Sequence, residues 1–102
     1  MEYLTDEILR NVINNIQQNE FDSHDVIKKL LQPRDKGGYQ KEYVLELKRY
    51  IDDFNGNDPI KQLHMAIGQK LSTFDDIIKQ IGEQVSHNIR CEETPNALWQ
   101  KV

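Results

Sequence analysis

Cysteine occurs once in this chain, at Cys91, so no internal disulfide can form and no group of thiolates can hold a zinc ion. The three histidines, at 24, 64 and 87, include no His-x-x-x-His pair. Metal binding is therefore not expected. The sequence contains no G-x-x-x-x-G-K-[ST], no G-x-G-x-x-G and no G-x-S-x-G. A phosphate-cradling loop, a dinucleotide fold and a serine-hydrolase elbow are thus not signalled, and no cofactor is expected. Apolar runs are only a few residues long, too short to span a bilayer. The start, Met1-Glu2-Tyr3-Leu4-Thr5-Asp6-Glu7, is acidic and lacks the basic and apolar segments of a signal peptide. These features point to the cytosol and away from a membrane. Alanine appears only at 66 and 97, beside abundant Ile, Lys and Asn, a bias expected from an AT-rich bacterial or phage genome.

What the chain does contain is helical periodicity. Its 102 residues suit one domain, 1–102, in which roughly 65% of the unfolded surface can be buried. Ile8, Leu9, Val12, Ile13 and Ile16 make one stripe of a helix over 6–18, capped by Thr5, with a polar opposite face. A break at Phe21-Asp22 starts a second helix near Ser23. Asp22 serves as its N-cap, and Phe21 with Val26 fits a hydrophobic staple. Pro33 ends that helix, and Pro33–Gly38 reads as the most flexible internal stretch. A third helix over 40–53 carries Tyr43, Val44, Leu47, Tyr50, Ile51 and Phe54 at spacings of three and four, and Asn55-Gly56-Asn57 closes it. Asp58 with Pro59 at the first position opens a fourth, lined by Ile60, Leu63, Ile67 and Leu71. A fifth helix starts at Ser72 or Thr73, at a second Phe-Asp corner, Phe74-Asp75, and reaches about Ser86, with Thr73 and Asp76 as an approximate capping box and a stripe of Ile77, Ile78, Ile81 and Val85. Recurring cap chemistry explains the two corners better than an internal duplication, since the stripes upstream of them do not align without a gap.

The last sixteen residues read in two ways. Residues 88–91 and 97–101 form strands around a turn at 92–96, or the segment is an irregular tail that docks Trp99 on the core. The expected fold class is mainly α, about five short helices in one compact domain, with the C-terminal β-hairpin as an open option. Helices followed by a hairpin resemble the element order of winged-helix proteins, with more helices than usual and no residue roles to carry over. The expected core is Ile8, Leu9, Val12, Ile13, Ile16, Phe21, Val26, Ile27, Leu30, Leu47, Ile51, Leu63, Ile67, Ile77, Ile78 and Ile81.

Charge is unevenly spread. The chain is net -4, yet residues 28–49 hold seven basic side chains against three acidic ones. Lys28, Lys29, Arg34, Lys36 and Lys41 surround the Gly37-Gly38 pair. That grouping suits a phosphate backbone, because glycine allows close approach and cations displace counterions. The same residues also serve as helix-end and loop solvation. Tyr39 could stack on a base or a partner side chain, and Trp99 either anchors the terminus or offers a hot spot. Adjacent carboxylates such as Asp52-Asp53 and Asp75-Asp76 do not share a helix face and read as caps. Cys91 lacks an orienting third residue for nucleophilic work. The sequence therefore favours a non-enzymatic interaction or regulatory module that binds an unknown protein, with a nucleic-acid binder using residues 28–41 as the alternative. Homodimerisation is left open.

Overall fold

Thr5 accepts the Ile8 N–H on its hydroxyl at 3.3 Å, and this cap starts α1, Asp6–Asn15. The structure is a computed structural model that describes residues 1–54 and 56–102. Helix α1 stops at Ile16, short of Gln18. The chain then extends into a three-residue strand, β1, Glu20–Asp22. Asp22 caps α2, Ser23–Leu30, with a reciprocal capping box: Asp22 accepts from the Asp25 N–H at 2.8 Å, and Asp25 accepts from the Asp22 N–H at 3.0 Å. A 3-10 turn, Arg34–Lys36, leads into α3, Gln40–Asp53, and then α4, Pro59–Leu71, capped by Asp58. Two long strands follow, β2, Ile78–His87, and β3, Glu93–Lys101. The sheet is antiparallel in the order β1-β3-β2. Four α-helices and a three-stranded sheet are thus found among the described residues.

The fifth helix is replaced by strand. After α4 the Phe74-Asp75-Asp76 corner makes one turn, with the Ile77 and Ile78 N–H groups both on the Phe74 carbonyl at 3.0 Å, and helix formation ends there. The Thr73–Asp76 capping box does not form. Thr73 Oγ1 bonds the Lys70 carbonyl at 2.7 Å, and Asp76 meets Arg10 at the same distance. Two local properties favour the strand. Ile77, Ile78, Ile81 and Val85 are β-branched. Gly82, at φ +158°, would weaken a helix interior. The decisive partner is β3, which pairs with β2 from Ile78↔Lys101 to His87↔Glu93. The C-terminal hairpin therefore exists, but it begins at 78, ten residues earlier than expected, and turns at 88–92, four residues earlier. Its register slips between Gln80 and Gly82, leaving Ile81 as a bulged residue.

One cluster of buried side chains runs through α1, β1, α2, α4 and the sheet. Most of the expected core lies in it, joined by Leu4, Tyr43, Leu71, Phe74 and Trp99. Ile8, Leu47 and Ile77 are half-buried at its edge. Ile51 and Ile81 do not belong to it: they are 48% and 40% exposed. Helix α3 turns a different face inward, led by Tyr43 and the fully buried Glu46. The Glu46 carboxylate accepts the Tyr3 and Leu4 N–H groups at 2.8 and 2.9 Å, while Arg49 Nε donates to it at 2.8 Å. Of the expected terminator Asn55-Gly56-Asn57, Asn55 lies outside the described residues.

No helix among the described residues is long and apolar enough to cross a membrane.

Candidate functional site

The basic segment was the strongest sequence signal, and the structure distributes it over several surroundings. Lys28 and Lys29, in the last turn of α2, line a polar groove of about 430 Å³ together with Asn15, Gln17, Gln18, Asp25 and Gln32. Lys36 lies exposed on the 3-10 turn and Lys41 exposed in the first turn of α3. None of these four lysines takes part in an ion pair among the described residues. Arg34 differs: it lies 4.3 Å from the Tyr39 ring centroid and bonds Glu42 at 2.5 Å. Tyr39 is half-buried under it, and its hydroxyl accepts from Asn11 at 3.2 Å. Trp99 is 4% exposed, with Nε1–H donating to Ser23 Oγ at 3.0 Å. It anchors β3 on the core and presents no face to a partner.

The Gly37-Gly38 loop is held by hydrogen bonds to α1 and α2. Asn15 donates to the Gly37 carbonyl at 3.3 Å, and the Tyr39 N–H reaches the Leu30 carbonyl at 2.9 Å. Gly38 is required for packing, because a Cβ there would fall 1.8 Å from the Gln32 carbonyl oxygen. The glycine pair thus serves a close approach within the fold.

A larger cleft, about 540 Å³, opens between the start of α2, helix α4 and the β2–β3 turn. Its walls include His24, Ile60, His64, Met65, Arg90 and Asn96. Along α2, Ser23, His24 and Ile27 face this cleft, whereas Asp25, Lys28, Lys29 and Gln32 face the polar groove. At 100° per residue these are different sides of the helix. The cleft rim carries Lys61 and Arg90 against Asp58 and Glu92, and Arg90 is committed to Asp58 through two bonds of 2.6 and 3.1 Å. The lysine patch and the α4–hairpin cleft are therefore separate surfaces.

His24 lies in the first turn of α2. It is 8% exposed and sits in a polar network. Ser86 Oγ donates to Asp22 Oδ2 at 2.7 Å and accepts from Asn96 Nδ2 at 3.2 Å. With the serine proton committed to the carboxylate, His24 Nδ1–H is the donor at 2.7 Å to Ser86, and Nε2 accepts from Thr94 at 3.2 Å. Burial lowers the His24 pKa against the opposing pull of Asp22. A nucleophilic serine hands its proton to a histidine; here the histidine donates to the serine, the reverse arrangement. Of the cleft-lining residues, His64 has its Nε2 2.7 Å from the hydroxyl of the buried Tyr43. Burial, reinforced by Arg90, pushes His64 down to about 4, and burial pushes Tyr43 up to about 12. Both are neutral near pH 7, so the hydroxyl donates and His64 carries its proton on Nδ1. Nothing in the spacing of residues 22, 24, 43, 64 and 86 signals that these groups converge.

Among the described residues no three His, Cys, Asp or Glu side chains gather as a metal site. Cys91 is exposed in the β2–β3 turn at φ +61°.

The third surface is the outward side of α3. Val44 and Ile51 are 55% and 48% exposed, Phe54 is 36% exposed, and half-buried Leu47 lies between them and the core. The three-four spacing of these residues was legible in the sequence, but a stripe reads alike whether it faces the core or solvent.

Comparisons with protein-family models, with curated proteins and with solved structures find no match to this chain.

Proposed function

We propose that this chain is a small cytosolic protein-binding module without enzymatic activity, acting through the outer face of α3. The observation that carries this reading is the row Val44, Ile51 and Phe54, apolar side chains exposed along α3 and at its C-cap, where the Phe54 ring stacks on Tyr50 at 5.3 Å. Apolar groups grouped on one exposed face mark interaction surfaces more often than isolated ones do. The polar networks fit the same reading, since Ser86, His24 and Tyr43 already spend their hydrogen bonds on one another and on Asp22, Thr94 and His64. The acidic balance, net -4, opposes general attraction to nucleic acid.

A second reading is a nucleic-acid binder. It draws on the element order, in which helices lead to a hairpin that pairs back on β1 as β1-β3-β2, resembling a winged helix with α3 added. It also draws on the Lys28–Lys29 groove. Against it, a winged-helix protein reads DNA with the helix before the hairpin, here α4, and the charges beside α4 and the hairpin nearly cancel.

Photo-cross-linking separates the two. A photoreactive residue at Val44 should capture protein, and one at Lys29 or Lys36 should capture little. Cross-links from position 29 or 36 to nucleic acid, with position 44 silent, would reverse the order of the readings.

A further inference from the structure

We infer that the α3 face binds a second copy of this chain, the two α3 helices lying antiparallel about a two-fold axis that crosses the seam between Leu47 and Ile51, level with Arg49. This inference rests on the protein-binding reading and names its partner. Helix α3 has 14 residues, hence is about 21 Å long. Val44, Leu47, Ile51 and Phe54 are spaced three, four and three apart, the seam spacing of paired helices. A two-fold axis makes an interface from one patch used twice, so the patch must complement itself. Centred near Arg49, the antiparallel pairing sets Leu47 against Ile51 of the second copy and Val44 against Phe54 of the second copy.

Charge selects this partner and this direction. Lys48 and Asp52 lie beside the seam on the same flank, one turn apart. Neither takes part in an ion pair among the described residues, with each other or with any neighbour, although Arg49 next to them binds Glu46 and approaches Asp53. In the antiparallel arrangement like flanks meet, so Lys48 of each copy comes within about a turn of Asp52 of the other, and the pair forms twice. In a parallel arrangement opposite flanks meet, so Lys48 and Asp52 of the two copies would lie on opposite sides of the seam and form no pair.

Sedimentation equilibrium of the full chain from micromolar to millimolar concentration tests this. The wild type is expected to dimerise reversibly. Ile51→Asp and, independently, Val44→Lys should give monomers with unchanged circular dichroism. Lys48→Asp should weaken association on the order of tenfold, since two pairs become repulsive. Lys48→Asp combined with Asp52→Lys should restore it. A wild type that stays monomeric at millimolar concentration overturns the inference. So does a dimer indifferent to Ile51→Asp and Val44→Lys, or a charge swap that fails to restore association. The photo-cross-link at Val44 keeps the two failures apart. Capture of a different protein from a monomeric chain removes the homodimer but keeps the binding face; a silent position 44 removes both.

Discussion

The Glu46 carboxylate accepts the backbone N–H of Leu4 at 2.9 Å, across 42 residues of sequence. Burial raises the pKa of this carboxyl, but the N–H groups of Leu4 and Tyr3 and the Arg49 guanidinium outweigh it and hold the group below its ordinary range. The contact pins the N-terminus against α3. Glu46→Ala should cost roughly 2–4 kcal/mol, because two N–H groups lose a charged acceptor. A carboxyl with a depressed folded pKa contributes stability above its unfolded pKa and loses it as pH falls through the folded value. Urea midpoints of the wild type should therefore fall below about pH 4.5 more steeply than those of Glu46→Ala.

His64 gives a separate pH signature. Its folded pKa is lowered to about 4, so the neutral ring is favoured by folding. The contribution is complete above the unfolded value near 6.5. It declines as pH falls from there, because the unfolded chain takes up a proton that the folded chain refuses, and it levels off near 4. Urea unfolding at pH 7.0 and 4.5 should show this loss in the wild type, and His64→Phe should reduce the difference. An NMR titration with the His64 ring protonating near 6.5 would contradict it.

Gly38→Ala should destabilise by about 1–3 kcal/mol or more, since the added methyl meets backbone and cannot be relieved by a side-chain rotation. Gly56→Ala is a useful contrast at a site where a Cβ meets nothing within 4 Å, though its φ of +82° carries a strain of its own. Thermal melting of both variants measures the difference.

Ile13 and Ile81 should respond oppositely. Ile13 is 1% exposed, and Ile13→Ala should cost about 2–5 kcal/mol in urea unfolding. Ile81 is bulged and half in solvent, and Ile81→Ala should stay within about 0.5 kcal/mol. A large loss at Ile81 would place residues 78–87 back in a helix facing the core.

Reversing Lys28 and Lys29 to Glu should leave stability nearly unchanged, as both lie at the surface with no ion-pair partner among the described residues. Under the protein-binding reading, titration against a labelled duplex at low salt detects no binding by either form. A wild type that binds, with a salt slope that falls in the reversed variant, would favour the nucleic-acid alternative.

The beginnings of the helices were legible residue by residue. Thr5, Asp22 and Asp58-Pro59 each cap the helix that their position announces, because a cap bonds a backbone N–H only three residues away. Stripes on α1, α2 and α4 were legible for the same reason: a row of apolar side chains on one face leaves a short helix little choice but to bury it. Trp99 was readable as an anchor or a hot spot, and only the position of Ser23, 76 residues away, settled which.

The sequence by itself thus determined where α1, α2 and α4 begin, which of their faces are apolar, and which cofactor motifs are missing. Each of these depends on neighbours within one or two turns. Tertiary structure decided that residues 78–87 are strand, that α3 turns Glu46 inward and Ile51 outward, and that His24, Ser86 and Asp22 meet. Those outcomes depend on partners distant in sequence: β3 for the strand, the N-terminal N–H groups for Glu46, and the β2–β3 register for the network. A period of three and four residues reports that a face is apolar; only the packed chain assigns that face to the core, to solvent or to another chain.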